Sequence, residues 1–150
     1  MLKPGAKAPS FELMSDQGKK VSLKDFAGKK IVLYFYPKDS TPGCTKEACS
    51  FSENNQRLQK AGAVVLGVSA DSVASHQKFK DKYKLRFTLL SDPDKEVIHK
   101  YGVWKEKSMY GRKFMGIERT TFLIDEQGKI AHIFSKVRVD GHTEEVLKNL

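Results

Sequence analysis

Apolar residues along this chain form short runs separated by polar turns, a pattern typical of alternating strands and helices. Two runs rich in β-branched and aromatic residues, 30–36 and 61–70, predict buried central strands. A shorter apolar run at 87–90 predicts a third strand. Two further stretches, 11–23 and 120–134, are each divided by a polar turn (S-D-Q-G and D-E-Q-G) and predict a pair of antiparallel strands.

Helices are predicted between and after these strands. Ser40 or Thr41 can cap the first helix, and Asp71 or Ser72 the second. Pro93 lies in the first turn of the third, where its missing N–H is tolerated. The four predicted helices span residues 41–60, 71–84, 92–101 and 143–150.

This order of elements predicts one α/β domain over residues 1–150. The expected architecture is a mixed central sheet flanked by helices and preceded by an N-terminal β-hairpin. Strand–helix–strand units in the first half favour parallel pairing, and the last strand pair is antiparallel. The pattern is that of a thioredoxin-like fold, which by itself does not specify a function.

Composition is that of an ordinary globular protein, with 39% hydrophobic and 30% charged residues. The longest apolar run, 31–36, is far too short to cross a bilayer. Residues 1–10 lack the apolar core of a signal peptide. We therefore expect a cytoplasmic protein with no membrane partner, in which a disulfide would be catalytic rather than structural.

The net charge of +9 arises from 27 basic and 18 acidic residues. A basic balance can indicate contact with nucleic acid. Here the lysines are spread along the chain, and no dense basic tract occurs. Nucleic-acid binding is therefore not expected, and the charge predicts a solvated surface that attracts anions weakly.

Both cysteines of the chain lie in the segment 36–51, separated by four residues, which is too wide for a C-x-x-C motif. With Thr41 as helix cap, Pro42 takes the first helical position and Cys44 the third. The Cys44 sulfur then lies near unpaired backbone N–H groups and the positive end of the helix dipole. Both features favour the thiolate. The alternative is that Cys44 is a small buried apolar residue.

Helical geometry separates the two sulfurs. Cys49 lies about 140° round the helix from Cys44, on a different face. Five helical residues place the two Cα atoms roughly 8–9 Å apart, whereas a disulfide needs less than about 7 Å. The two cysteines can bond only if the first turns unwind. The stripe predicted to face the core, with one polar exception, consists of Cys44, Ala48, Phe51, Asn55 and Leu58.

Three interpretations of the pair are open at this point. The cysteines are unrelated core residues, or they form half of a zinc site, or one reacts with an oxidant and the other resolves the product. A zinc site would need two more ligands. The four histidines are scattered singly along the chain, at His76, His99, His132 and His142.

The segment 37–44, P-K-D-S-T-P-G-C, resembles the P-x-x-x-[TS]-x-x-C signature of peroxiredoxins. The second cysteine, five positions later, resembles the peroxiredoxin Q (bacterioferritin comigratory protein) branch. The similarity covers nearly the whole chain. It includes residues 71–79, 89–93, 101–104, 110–125 and 141–146.

This resemblance implies a thiol-dependent peroxidase that acts on hydrogen peroxide and organic hydroperoxides, without a cofactor or a metal. Cys44 matches the peroxidatic cysteine, and Cys49 the resolving cysteine that forms an intramolecular disulfide after local unwinding. Thr41 would hydrogen-bond the peroxide and the thiolate, and Pro37 would shield the sulfur from water. Arg119 would hold the thiolate and polarise the peroxide. A thioredoxin-type dithiol would regenerate the enzyme, which is expected to be a monomer.

Four other residues have two interpretations each. Trp104 and Tyr110 line a substrate or partner surface, or they pack in the core or a loop. Glu47 moves protons near Cys44 or, as favoured here, is a solvated helix residue. His142 is expected to be a neighbour of the last helix cap rather than a base. Two other functional classes are possible from the residues alone. One is a thiol–disulfide oxidoreductase, which would lack its usual C-x-x-C pair, and the other is a basic binding module without catalysis.

Overall fold

The computed structural model describes residues 2–150. Its elements follow the predicted alternation of strands and helices, with one additional strand pair. In chain order they are β1 (Glu12–Ser15), β2 (Lys20–Ser22), β3 (Lys30–Phe35), α1 (Pro42–Glu53), α2 (Asn55–Lys60), β4 (Ala63–Ser69), α3 (Val73–Tyr83), β5 (Thr88–Ser91), α4 (Glu96–Lys100), β6 (Trp104–Met109), β7 (Arg112–Ile117), β8 (Thr120–Ile124), β9 (Ile130–Phe134) and α5 (His142–Lys148).

Seven strands form one mixed sheet in the order β2-β1-β5-β4-β3-β8-β9. β3 pairs in parallel with β4, and β4 with β5, whereas β8 is antiparallel to both β3 and β9. The N-terminal hairpin of β1 and β2 joins the sheet through β5. The predictions of a mixed central sheet and an N-terminal hairpin are confirmed.

Strand β3 separates two apolar cores because its side chains alternate between the faces of the sheet. Ile31, Leu33 and Phe35 face the core that contains α4. Val32 and Tyr34 face the second core, to which α1, α2, α3 and α5 contribute. The strand is buried on both faces, so its near-continuous apolar sequence is explained.

The helix predicted over residues 41–60 is broken in two at Asn54. Its backbone leaves the helical region there (φ −100°, ψ 12°), and its side-chain amide donates to the Ser50 carbonyl at 2.8 Å. Asparagine competes for backbone hydrogen bonds in this way and so interrupts helices. The break separates α1, which carries both cysteines, from α2.

The helix predicted over residues 92–101 is shorter than expected. Residues 92–95 form a turn that ends at Lys95 in the left-handed region (φ 60°), and α4 begins only at Glu96. The Asp92 carboxylate accepts the Ile98 N–H at 2.8 Å, which satisfies one free donor of the helix start. Pro93 therefore lies in the preceding turn rather than in the helix.

Strands β6 and β7 form a separate two-stranded ribbon that the sequence pattern did not predict. Its turn contains Tyr110 and Gly111 with φ of 52° and 77°, the left-handed values that a tight hairpin turn requires. The ribbon is largely exposed, and the sequence between 104 and 117 lacks the apolar face of a core strand. It leads directly into Arg119. Among residues 2–150, no helix is long and apolar enough to cross a membrane.

Candidate active site

Cys44 lies in the first turn of α1, immediately after the loop 36–41 that leaves the carboxyl end of β3. Thr41 is the N-cap residue, with extended backbone (φ −81°, ψ 154°), and Pro42 follows at the first helical position. The Thr45 N–H donates to the Thr41 carbonyl at 2.8 Å, which closes the first turn. The predicted position of Cys44 at a helix start is confirmed, and its side chain is only 2% exposed.

Arg119 lies just before β8, the strand next to β3, and its side chain reaches the first turn of α1. Its Nη2 donates to Cys44 Sγ at 3.2 Å and its Nη1 to Glu47 Oε1 at 2.6 Å. Burial lowers the pKa of Arg119, but the charges of Glu47 and Cys44 outweigh burial and raise it. The guanidinium therefore stays charged beside the sulfur.

Gly43 makes room for this guanidinium. A Cβ atom at position 43 would lie 3.3 Å from Arg119 Nη2, closer than side chains ordinarily pack. A side chain there would require the Arg119 guanidinium to shift by a few tenths of an ångström. The glycine before Cys44 is therefore explained by the close approach of Arg119 to the helix start.

Glu47 is buried, contrary to the expectation of a solvated helix residue. It is 2% exposed, and its Oε2 has no hydrogen-bond partner among residues 2–150. Burial raises its pKa to about 7, although the charge of Arg119 opposes the shift. Glu47 lies one helical turn after Cys44, so the same face that buries Cys44 also buries Glu47. Only the distant partner Arg119 makes that burial possible, and local sequence gives no sign of the pairing.

Lys107, in β6, is a second cation whose charge acts on this site. Burial lowers its pKa, as does Arg119, whereas Cys44 and Glu118 oppose the shift. Its side chain crosses Gly116 of β7, where an added Cβ would lie 3.4 Å from Lys107 Cδ. Lys107 is not among the residues predicted from the sequence, because the ribbon that carries it was not predicted.

Thr41 and Pro37 are in the loop immediately before Cys44, both half-buried. The Thr41 hydroxyl donates to the Lys38 carbonyl at 2.8 Å. No hydrogen bond joins its side chain to Cys44 among the described residues. The structure brings both residues to the same loop as the thiol, and their predicted contacts with peroxide stay predictions.

Cys49 lies on a different face of α1 and is half-buried. Both cysteines are free thiols, as expected for an intact helix. Burial raises the pKa of Cys49, and the charge of Glu53 adds to the shift. A surface cavity of about 330 Å³ opens beside it, lined by Cys49, Ser52, Glu53, Tyr83, Lys84 and Arg86.

Three other residues considered from the sequence are His142, Trp104 and Tyr110. His142 is buried, with Nε2 2.8 Å from Thr121 Oγ1 and Nδ1 2.9 Å from Glu145 Oε1, and burial lowers its pKa against the opposing effect of Glu145. Trp104 packs near Lys95, whose Nζ lies 5.3 Å from the ring centroid. Tyr110 is 99% exposed at the tip of the ribbon, so packing is the wrong interpretation of this residue, and a substrate or partner surface stays a prediction.

The AhpC/TSA family model matches residues 4–133, which includes the helix start and Arg119. The chain is a peroxiredoxin of this family. It is 59% identical over 146 residues to a Coxiella burnetii relative that carries the name peroxiredoxin bcp, and the match covers 97% of each chain. It is 49% identical to peroxiredoxin Bcp of Bacillus subtilis, over 97% of this chain and 93% of that protein.

Solved structures of peroxiredoxins have the same fold. The bacterioferritin comigratory protein of Xanthomonas campestris matches with a TM-score of 0.90 and 41% identity, over 97% of this chain and 96% of that one. A Xylella fastidiosa PrxQ matches with a TM-score of 0.93 and 39% identity, over 99% and 94%. The predictions of a thioredoxin-like fold and of a peroxiredoxin of the Q branch are confirmed. The class of enzyme, a peroxidase oxidoreductase, is therefore also confirmed.

Proposed function

We propose that this peroxiredoxin reduces hydrogen peroxide and organic hydroperoxides at Cys44, with Cys49 as the resolving thiol. One observation carries the proposal: Arg119 donates to the Cys44 sulfur at 3.2 Å within the first turn of a helix. A cation and a helix N-terminus together favour a thiolate, which is the nucleophile that peroxide chemistry requires.

In the first step the Cys44 thiolate attacks one peroxide oxygen. An S–O bond forms, the O–O bond breaks, and the sulfur loses two electrons as it becomes a sulfenic acid. The departing hydroxide or alkoxide takes a proton and leaves as water or an alcohol. Arg119 stabilises the negative charge that moves from sulfur to oxygen, and Glu47 holds the guanidinium in place.

In the second step the Cys49 sulfur attacks the Cys44 sulfenic acid. An S–S bond forms, and the hydroxyl group leaves as water with the thiol proton. Because α1 keeps the sulfurs on different faces, its first turns must unwind before this bond can form. A thioredoxin-type dithiol then reduces the disulfide by exchange and is itself oxidised to a disulfide.

Related proteins support the organic hydroperoxides as substrates. Alkyl peroxide reduction is described for the Xanthomonas campestris protein, which is 41% identical to this chain. Thr41 and Pro37 belong to the same proposal, as a peroxide ligand and a shield of the sulfur. We also propose that the protein acts as a cytoplasmic monomer.

Tandem mass spectrometry of tryptic peptides before and after one equivalent of peroxide tests the proposal. We expect a new Cys44–Cys49 disulfide in the wild type and a sulfenic acid on Cys44 in Cys49→Ser. Cys44→Ser should consume no peroxide. The proposal is wrong if Cys44→Ser reduces peroxide as fast as the wild type, or if the disulfide never forms.

A further inference from the structure

A buried polar cluster lies next to the loop 36–41, outside the site described above. His76 in α3 is fully buried, and Asp39 in the loop is 6% exposed. The His76 Nδ1 lies 2.7 Å from Asp39 Oδ2. No step of the proposed reaction uses either residue, although Asp39 is only five residues before Cys44.

Asp39 connects the loop to several elements through hydrogen bonds. Its Oδ1 accepts the Tyr36 hydroxyl at 2.6 Å, and its Oδ2 accepts the Ser75 hydroxyl at 2.8 Å in addition to His76. Its backbone N–H donates to Asp71 Oδ2 at 2.8 Å. One loop residue is therefore held by the end of β3, by the first turn of α3 and by the segment before α3.

Hydrogen-bond geometry assigns the protons of His76. Its Nε2 lies 3.0 Å from the Leu90 carbonyl oxygen, which can only accept, so Nε2 carries a proton. Its Nδ1 lies 2.7 Å from Asp39 Oδ2 and 3.5 Å from the Tyr36 hydroxyl, so the contact with Asp39 is the shorter one. A proton between Nδ1 and Oδ2 therefore joins the ring to the loop in a buried hydrogen bond.

The cluster is satisfied internally rather than arranged for a metal ion. Asp39, Asp71 and His76 each offer a ligand atom within 4.8 Å of the others. However, Asp71 Oδ2 already accepts the Ser69 hydroxyl at 2.6 Å and the Asp39 N–H. Both His76 nitrogens already have partners, Asp39 Oδ2 and the Leu90 carbonyl, which leaves neither free to bind a cation.

The loop between this anchor and the helix is short and strained. Ser40 has a φ of 64°, in the left-handed region that disfavours residues other than glycine. Thr41, the cap of α1, follows directly. A loop in this conformation needs a fixed point on its N-terminal side, and Asp39 is that point.

We propose that His76 is a positioning residue for Cys44: its hydrogen bond with Asp39 fixes the loop and thereby the start of α1. The inference rests on the proposed role of Cys44. If the anchor is loosened, the first turn should align less well with Arg119 and should unwind more readily. The two half-reactions should therefore change in opposite directions, with slower attack on peroxide and faster disulfide formation.

The hydrogen bond between His76 and Asp39 can be tested by NMR. A long-range proton–nitrogen spectrum of the wild type, assigned by comparison with His76→Gln, should show His76 Nδ1 in a slowly exchanging hydrogen bond. An Nδ1 signal typical of a nitrogen without a hydrogen bond would overturn the contact. A shift of the His76 signals on addition of Zn²⁺ or Mg²⁺ would also overturn it, in favour of a metal site.

The kinetic test separates the two half-reactions by rapid quenching, thiol alkylation and mass spectrometry. In His76→Gln, which cannot reproduce the donor to Asp39, we expect the second-order rate of Cys44 oxidation to fall about tenfold or more, as for other misaligned sites. His76→Asn can place its amide N–H near the Nδ1 position and should recover part of that rate. Disulfide formation should be faster in His76→Gln than in the wild type.

Asp125→Ala is the control for a loss of stability. The Asp125 carboxylate accepts the Gln127 and Lys129 N–H groups at 2.9 Å in the turn between β8 and β9, and it is bonded to no member of the His76 and Asp39 cluster. It should leave both half-reactions unchanged. If His76→Gln changes them no more than Asp125→Ala does, the inference is wrong while the proposed function stands. A wild type that consumes no peroxide would overturn both.

Discussion

A single guanidinium contacts two acidic side chains beside the first turn of α1. Arg119 donates one N–H to the Cys44 sulfur and another to Glu47, so the carboxylate fixes the direction in which the cation meets the thiol. The planar guanidinium can donate to both groups at once, whereas a lysine ammonium cannot reproduce both contacts with the same geometry. The activity of Cys44 should therefore depend on the shape of this cation as well as on its charge.

For Arg119→Lys we expect the second-order rate constant for hydrogen peroxide to fall by about a hundredfold, the usual effect of losing one donor to a developing charge. Stopped-flow competition with a peroxidase of known rate measures it. Arg112→Lys is the control, because Arg112 is exposed on the ribbon and should change nothing. Equal rates for Arg119→Lys and the wild type would exclude the bidentate role.

Glu47 predicts a dependence of stability on pH. Its pKa in the folded protein is about 7, above the ordinary value of 4.5, because burial disfavours the carboxylate. The unfolded chain therefore loses this proton first, and the free energy of unfolding falls as pH rises from about 4.5 to about 7. The contribution lost is about 3 kcal/mol, from roughly 1.4 kcal/mol per pKa unit.

Urea unfolding of the wild type and of Glu47→Gln across this pH range measures the effect. The variant should lose less stability than the wild type as pH rises, because the glutamine does not ionise. The difference between the two proteins isolates Glu47 from the other groups that titrate there. Parallel curves would show that Glu47 is not buried in its neutral form.

At the scale of elements, the sequence predicts those parts of the fold whose apolar patterns face a core. The central strands, the N-terminal hairpin and the start of α1 agree with the structure. Thr41 and Pro42 provide a local start signal that needs no distant contact. The stripe that includes Cys44 and Phe51 is buried as predicted.

Elements that depend on distant or exposed residues could not be predicted in this way. The ribbon of β6 and β7 is solvated on most of its surface, so its sequence carries no strong period of two. The break at Asn54 depends on one side-chain amide bonding to Ser50. Glu47 and Arg119 are 72 residues apart, and their pairing appears only when the sheet assembles.

Thr45 lies between the two cysteines in α1 and predicts how easily the helix unwinds. Its hydroxyl is buried without a hydrogen-bond partner among residues 2–150, and threonine has a low helix propensity. Thr45→Ala should stabilise the folded helix by about 1 kcal/mol, which slows disulfide formation about fivefold. The first attack on peroxide should not change.

Asn55→Ala is the control for this effect. It raises helix propensity by a similar amount in α2, beyond the break at Asn54. Rapid-quench measurement should show normal disulfide formation in Asn55→Ala and slow formation in Thr45→Ala. If both variants are slow, the unwinding extends past Asn54 and the break is not its boundary.

At the scale of the whole molecule, the net charge of +9 predicts how the enzyme meets its reductant. A positive surface attracts an acidic protein over long distances, and salt screens that attraction. With an acidic thioredoxin as donor, we expect kcat/KM to fall about tenfold from low to high ionic strength. Reduction by dithiothreitol, which is neutral, is the control and should stay constant. Equal salt dependence for the two donors would exclude electrostatic steering.

Arg119 belongs to the sheet side of the site, whereas Cys44 belongs to the helix that unwinds. A sulfenic acid that stays in the folded helix remains beside the guanidinium and can meet a second peroxide, which converts it to an inactive sulfinic acid. The rate at which α1 unwinds therefore determines the peroxide concentration at which Cys44 becomes over-oxidised and the enzyme is inactivated. Thr45→Ala, in which α1 unwinds more slowly, should accumulate the sulfinic form at peroxide concentrations that leave the wild type unmodified. Intact-protein mass spectrometry would detect the two added oxygens.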